Sequence, residues 1–261
     1  MSLLTVSGVS HRYPRGSGQQ TVLNQLDLVI HEGETLALLG RSGCGKSTLA
    51  RLLAGLETPS SGTVAWRGEG MRGLNRARRK QFAREVQMVF QDGPGAVNPR
   101  HTLRQIIDEP LRHLTTLGRT QRQARIDEVL RAVALDPALQ DALPSQISGG
   151  QLQRVCIARA LAVSPRLLIL DEAVSNLDLV LQADIIRLLK QLRTQCDIAF
   201  LFITHDLRLV ERFCQRVVVM SDGHIVEDVA VQTGVVFASA AGQALQRAVL
   251  PAFPPRRAGS A

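Results

Sequence analysis

Eight consecutive residues, Gly40-Arg41-Ser42-Gly43-Cys44-Gly45-Lys46-Ser47, match the pattern G-x-x-x-x-G-K-[ST], and the chemistry they suit is a grip on nucleotide phosphates. Gly40, Gly43 and Gly45 let backbone N–H groups turn toward phosphate oxygens without a Cβ in the way. Ser42, Cys44 and Thr48 belong to the same phosphate site, Lys46 reaches the β- and γ-phosphates, and the Ser47 hydroxyl is a magnesium ligand. Leu167-Leu168-Ile169-Leu170-Asp171-Glu172 is an apolar strand that ends in two carboxylates: Asp171 to hold magnesium, Glu172 to polarise an attacking water. Between these segments lies Ser148-Gly149-Gly150-Gln151, a hydroxyl followed by glycine amides at a helix start, which makes a second anion cradle aimed outward.

The elements that must carry these residues are also readable. The apolar run 36–39 leads into the first loop as a buried strand, and 48–54 follows as a helix that stops at Gly55. Residues 3–39 read as β-rich, with a strand over 21–30 before the turn 31–33, then short strands at 63–66 and 86–90. Leu103, Ile106, Ile107, Ile126, Val129, Leu130 and Val133 recur at helical spacing, with Pro110, Pro137 and Pro144 as interruptions, so about 92–150 reads as an inserted helical lobe. Strands at 167–171, 198–203 and 216–220 then alternate with helices at 150–162, 179–194 and 206–213, the rhythm of a largely parallel sheet. The expected fold is α/β: a mostly parallel core sheet, an N-terminal antiparallel β subdomain and the helical lobe, one domain over 1–250 with a disordered tail at 251–261.

Composition bounds the class. A chain of 261 residues, 45% of them hydrophobic, buries a large core without help from disulfides. Cys44, Cys156, Cys196 and Cys214 form no CxxC pair and read as free thiols of a reducing compartment. No run approaches 18 apolar residues and the start lacks a signal-peptide pattern, so neither a membrane span nor export is expected. The net charge of +8 concentrates at Arg72, Arg76, Arg78, Arg79, Lys80 and Arg84, but with only 3% aromatic residues base stacking has little support. A basic helix facing solvent or anionic lipid accounts for the cluster, and no nucleic acid is expected as partner.

With these motifs in this order, the chain resembles the nucleotide-binding subunits of ATP-binding cassette (ABC) transporters over nearly its whole length. That resemblance implies roles for individual residues. By it, Ser148, Gly149, Gly150 and Gln151 match the family signature, with Ile147 where leucine is usual, and their target is the γ-phosphate held by a partner cassette. Tyr13, which by itself fits a core or a surface role equally, takes the place of the aromatic that stacks on adenine. Gln91 matches the glutamine that senses magnesium-bound phosphate and links it to the helical lobe, and His205 matches the switch histidine that contacts the γ-phosphate. Ser175-Asn176-Leu177-Asp178 corresponds to the D-loop, with asparagine where alanine is common, and Ala173 stands where proline often follows the glutamate. ATP and Mg²⁺ are the implied ligands, with Glu172, His205 and Gln91 as the catalytic set and Ser47, Gln91 and Asp171 at the metal.

Phe90-Gln91-Asp92 through Asn98-Pro99-Arg100, with the ending Leu250-Pro251-Ala252-Phe253-Pro254, is similar to the branch that serves oligopeptide, dipeptide and nickel importers, and most to its nickel-import ATPase subunits. The expected role is to energise nickel import from the cytoplasmic face of a bacterial inner membrane. A sister or identical ATPase subunit, two membrane permeases and, indirectly, a solute-binding protein are the expected partners, and the metal itself does not touch this chain. The same role in a peptide importer is the main alternative, and a soluble ABC ATPase of DNA repair or translation a lesser one.

Overall fold

A computed structural model describes residues 1–16, 18–173, 179–196, 198–231 and 234–248. The β-rich start forms a hairpin, β1 (Ser2–Arg15) against β2 (Gly18–His31), and β1 also pairs with β4 (Ser61–Trp66), which pairs with the short β5 (Glu69–Gly70). This antiparallel sheet has the order β2-β1-β4-β5. The second sheet has the order β10-β9-β3-β8-β7-β6 among the described residues. Its strands are β3 (Thr35–Gly40), β6 (Val86–Val89), β7 (Leu167–Asp171), β8 (Ala199–Ile203), β9 (Arg216–Ser221) and β10 (His224–Ala230). All neighbours are parallel except the edge hairpin β9–β10, turned by Asp222-Gly223 with both residues at positive φ, as a two-residue hairpin requires.

The inner strands β3, β7 and β8 are buried along their whole length, which is why they read as nearly unbroken apolar runs. Alternate residues serve two different cores. Leu36, Leu38, Leu167, Ile169, Leu201 and Val218 pack with the antiparallel sheet and α1 (Lys46–Leu53). Ala37, Leu39, Leu168, Leu170, Phe200, Phe202, Val217 and Val219 pack with the helices of the other face. Those helices are α3 (Leu103–Leu114), α4 (Arg119–Ala132), α5 (Gly149–Leu161), α6 (Leu179–Cys196) and α7 (Leu207–Phe213). Of the basic cluster, Arg72 lies in a 3₁₀ turn and the rest on α2 (Arg76–Glu85), capped by Asn75; α8 (Ala240–Ala248) closes the described chain.

The helices inserted between β6 and β7 start at α3, and one correction concerns Pro110, which lies inside α3 without ending it. A capping box at Thr102 and Gln105 starts the helix, and burial of Leu103, Ile106, Ile107 and Leu111 outweighs the backbone hydrogen bond that proline cannot donate. Pro137 and Pro144 do interrupt, each opening a short 3₁₀ turn at its first position. Residues 174–178, which contain Asp178 and the D-loop match, and the tail 251–261 lie outside the described residues. Cys44, Cys156 and Cys214 are free and buried.

Candidate active site

Parallel strand register gathers the motifs at one edge of the sheet. Leu38 pairs with Ile203, Asp171 with Ile203, and Val89 with Leu170, so the carboxyl ends of β3, β8, β7 and β6 lie side by side. The phosphate loop leaves β3, His205 follows β8, Asp171 and Glu172 end β7, and Gln91 follows β6. A crevice at the carboxyl ends of parallel strands is where open α/β sheets bind ligands.

The loop is shaped by left-handed backbone at Gly43 (φ 80°) and Gly45 (φ 107°). Gly45 is the N-cap of α1, and a Cβ there would come within 2.6 Å of the Leu23 side chain on β2. The β9–β10 turn buttresses the loop from below through Gly223 N–H, which donates to Cys44 O at 3.2 Å. Lys46 is buried, its ammonium donating to the carbonyls of Gly40 (2.8 Å) and Arg41 (2.9 Å). Burial pushes the Cys44 thiol up, so it stays protonated beside the ammonium.

Ser47 Oγ donates to Asp171 Oδ1 at 3.1 Å, joining the start of α1 to the end of β7. Burial pushes the Asp171 carboxyl up; the Ser47 hydrogen bond draws it back, and the neighbouring Glu172 charge raises it again. Two hard oxygen donors, one of them a buried carboxylate hydrogen-bonded to a neutral hydroxyl, suit Mg²⁺, and they are the residues that would hold it. Glu172 adopts a left-handed conformation (φ 46°), unusual for its type, with its N–H bonded to Ile203 O at 3.0 Å. That backbone turns its carboxylate toward the next strand end, where His205 Nδ1 lies 3.8 Å from Glu172 Oε1. His205 stays largely exposed, and Thr204 beneath it is buried and accepts from Asp206 N–H.

Gln91 is exposed at the end of its strand, and the loop after it is gripped by α5. Cys156 Sγ approaches Gly93 O at 3.5 Å, and Arg159 donates to Ala96 O at 2.8 Å. The spacing of three on one helix face was the available signal for this pair. Ser148 is the N-cap of α5 in a capping box: its Oγ accepts from Gln151 N–H, and Gln151 Oε1 accepts from Ser148 N–H. Gln151 is thus occupied in the helix start, while Ser148 and Gly149 are exposed and Gly150 is buried. Gly149 is open around its Cα, whereas a Cβ at Gly150 would reach within 2.8 Å of Leu181 on α6.

Tyr13, on β1, is half-buried with its hydroxyl held by Glu57 and Arg51. Arg51 and Glu57 meet across the end of α1, but their junction with Tyr13 and His11 escapes sequence reasoning because it depends on the docking of β1 there.

The model of the ABC transporter family matches residues 23–175. The chain is 63% identical, over 98% of both sequences, to the nickel import ATP-binding protein NikE of Shigella boydii, and 62% identical at the same coverage to that of Escherichia coli K12. Among solved structures it is similar to a dimeric post-hydrolysis state of the ATP-binding cassette MJ0796 bound to ADP and Pi, with a TM-score of 0.81 and 27% identity over 89% of this chain and all of that one. It is also similar to cbiO1 of Clostridium perfringens, part of the transporter complex cbiONQ, with a TM-score of 0.76. Sequence motifs, strand-end geometry and relatives agree: the chain belongs to the ABC transporter family.

Proposed function

We propose that this chain is the ATP-hydrolysing subunit of a nickel importer, and the observation that carries the reading is 63% identity over 98% of its length to a nickel import ATP-binding protein. Loop amides and Lys46 hold the phosphates, and Ser47, Asp171 and Gln91 would hold magnesium. Magnesium bound there supplies positive charge to the β- and γ-phosphate oxygens. Glu172 orients the attacking water and takes its proton, and His205, beside it, donates to the γ-phosphate. Ser148, Gly149 and Gly150 serve the nucleotide of a second cassette, sister or identical, and Asp178 lies in the loop that joins the two; a dimeric state of a similar cassette supports the pairing.

Closure of two cassettes on ATP pulls on two membrane permeases through the helices that follow Gln91, and hydrolysis reopens them. No helix among the described residues is long and apolar enough to cross a membrane, and the site of action is the cytoplasmic face of a bacterial inner membrane beside those permeases. The test is uptake of labelled nickel and labelled dipeptide, side by side, in a strain lacking the chain. High-affinity nickel accumulation, and with it nickel-enzyme activity, is lost at scarce metal, and excess nickel restores the enzyme activity through unselective routes. Loss of dipeptide uptake with nickel accumulation intact would replace this reading with a peptide importer.

A further inference from the structure

Four side chains meet where β1 crosses the end of α1. The Tyr13 hydroxyl donates to Glu57 Oε2 and accepts from the Arg51 guanidinium at 3.0 Å. Arg51 Nε donates to Glu57 Oε1 at 2.6 Å, and its other arm reaches Thr48 Oγ1 at 3.4 Å. His11 packs against the Tyr13 ring at 4.7 Å and 83°, with its Nε2 3.3 Å from Glu57 Oε2. Every polar atom of the phenol is therefore committed, and the ring is fixed at its far end and along one side. The same guanidinium that holds the ring also holds a residue of the phosphate site, two positions from Lys46.

We propose that Glu57, with Arg51 and His11, is a positioning cluster that presets the Tyr13 ring for the nucleotide base and registers it against the phosphate loop. The proposal rests on the reading that Tyr13 stacks on adenine. A free tyrosine must give up rotamer freedom each time a base stacks on it, whereas a ring already held by two hydrogen bonds and a packed neighbour has lost that freedom on folding. Arg51 adds distance control, because it stands on α1 one turn beyond Thr48 and so ties the ring to the helix that carries Lys46. None of the three residues is asked to touch the nucleotide. They act through Tyr13, and their removal must show in the part of the affinity that depends on the base.

The test compares two ligands of the purified full chain by calorimetry: ATP, and inorganic tripolyphosphate, which has the phosphates and no base. Tyr13→Ala is the reference for the base contribution and weakens ATP alone, by roughly tenfold. Glu57→Ala weakens ATP by about three- to tenfold and leaves tripolyphosphate unchanged, and Glu57→Gln, which keeps a carbonyl for Arg51, recovers most of the loss. Tyr13→Phe, which removes the anchored hydroxyl and keeps the ring, gives an intermediate loss and guards against misfolding of the Glu57 variants. If Tyr13→Ala affects both ligands equally or neither, the stacking reading falls, and the proposal with it. If Tyr13→Ala is selective but Glu57→Ala and Tyr13→Phe bind ATP as the parent does, the positioning proposal alone is overturned. Equal weakening of both ligands by Glu57→Ala overturns it too, since the cluster would then merely brace α1.

Discussion

Glu172 follows the last residue of β7 with left-handed backbone, a conformation that costs a side-chain-bearing residue about 1–2 kcal/mol and is retained here with the carboxylate beside His205. Replacement by glutamine keeps the backbone and side-chain shape, so Glu172→Gln should leave thermal stability and ATP affinity unchanged while turnover falls by about 10²–10⁴-fold. Lys46→Ala should instead lower ATP affinity and turnover together, because the buried ammonium is the main side-chain charge of the loop. ATP binding and single-turnover hydrolysis, measured on both variants, separate the roles; loss of nucleotide binding by the Glu172 variant as severe as that of the Lys46 variant would remove the base assignment. That Lys46, Ser47, Asp171 and Glu172 sit at strand ends of one sheet was legible because each lies in a contiguous motif with an apolar strand before it. The junction of Arg51 and Glu57 with Tyr13 and His11 was not, since it depends on how a strand docks on a helix end, and no sequence period marks such a contact.

α5 has two ends with different duties. Its N-terminus exposes Ser148 and Gly149, and its middle grips the loop after Gln91 through Cys156 and Arg159. Because Ser148 also caps the helix, a bulky replacement mixes two effects: loss of the cap, about 1 kcal/mol, and obstruction of the cradle. Aspartate caps as well as serine but brings a negative charge to the place where, on the proposed pairing, a partner's phosphate docks. Ser148→Asp should therefore keep melting temperature and ATP binding by the isolated chain, and abolish ATP-induced pairing and cooperative turnover. Sedimentation with and without ATP reads the pairing; a Ser148→Asp chain that pairs like the parent would rule out the outward cradle. The start of this helix was read from the hydroxyl and glycines of Ser148-Gly149-Gly150, within one residue of where it lies. Pro110 misled for the complementary reason: propensity argues a break, and burial of one apolar helix face overrides it.

Across the whole molecule, the inner strands β3, β7 and β8 read correctly because they are buried along their whole length, but β5, β10 and α8 carried no such signal: one is two residues long, one is an exposed edge, and one is a short terminal helix. Charge at this scale makes a prediction of its own. Burial raises Glu57, but the hydrogen bonds from Tyr13 and Arg51 outweigh it and hold the carboxyl below its usual range. Asp206 follows the same balance with Arg208, and Glu227 with the hydroxyl of Ser239 and the amides of Ala238 and Ser239. A carboxylate depressed in the folded state adds stability above its unfolded pKa and loses it as pH falls through the folded one. The stability these three supply should therefore be level above roughly pH 5.5 and decline progressively below about pH 4, while the raised Asp171 contributes with the opposite sign. A net charge of +8 adds self-repulsion as carboxylates protonate, and salt screens that part while leaving the short hydrogen-bonded contacts largely in place. Glu227→Gln separates the two: it should be less stable than the parent at pH 7 and converge with it near pH 3, at low and high salt alike. Denaturant midpoints across that range check the outcome, and a constant gap between the two curves at all pH values would show that the Glu227 contacts contribute no pH-linked stability.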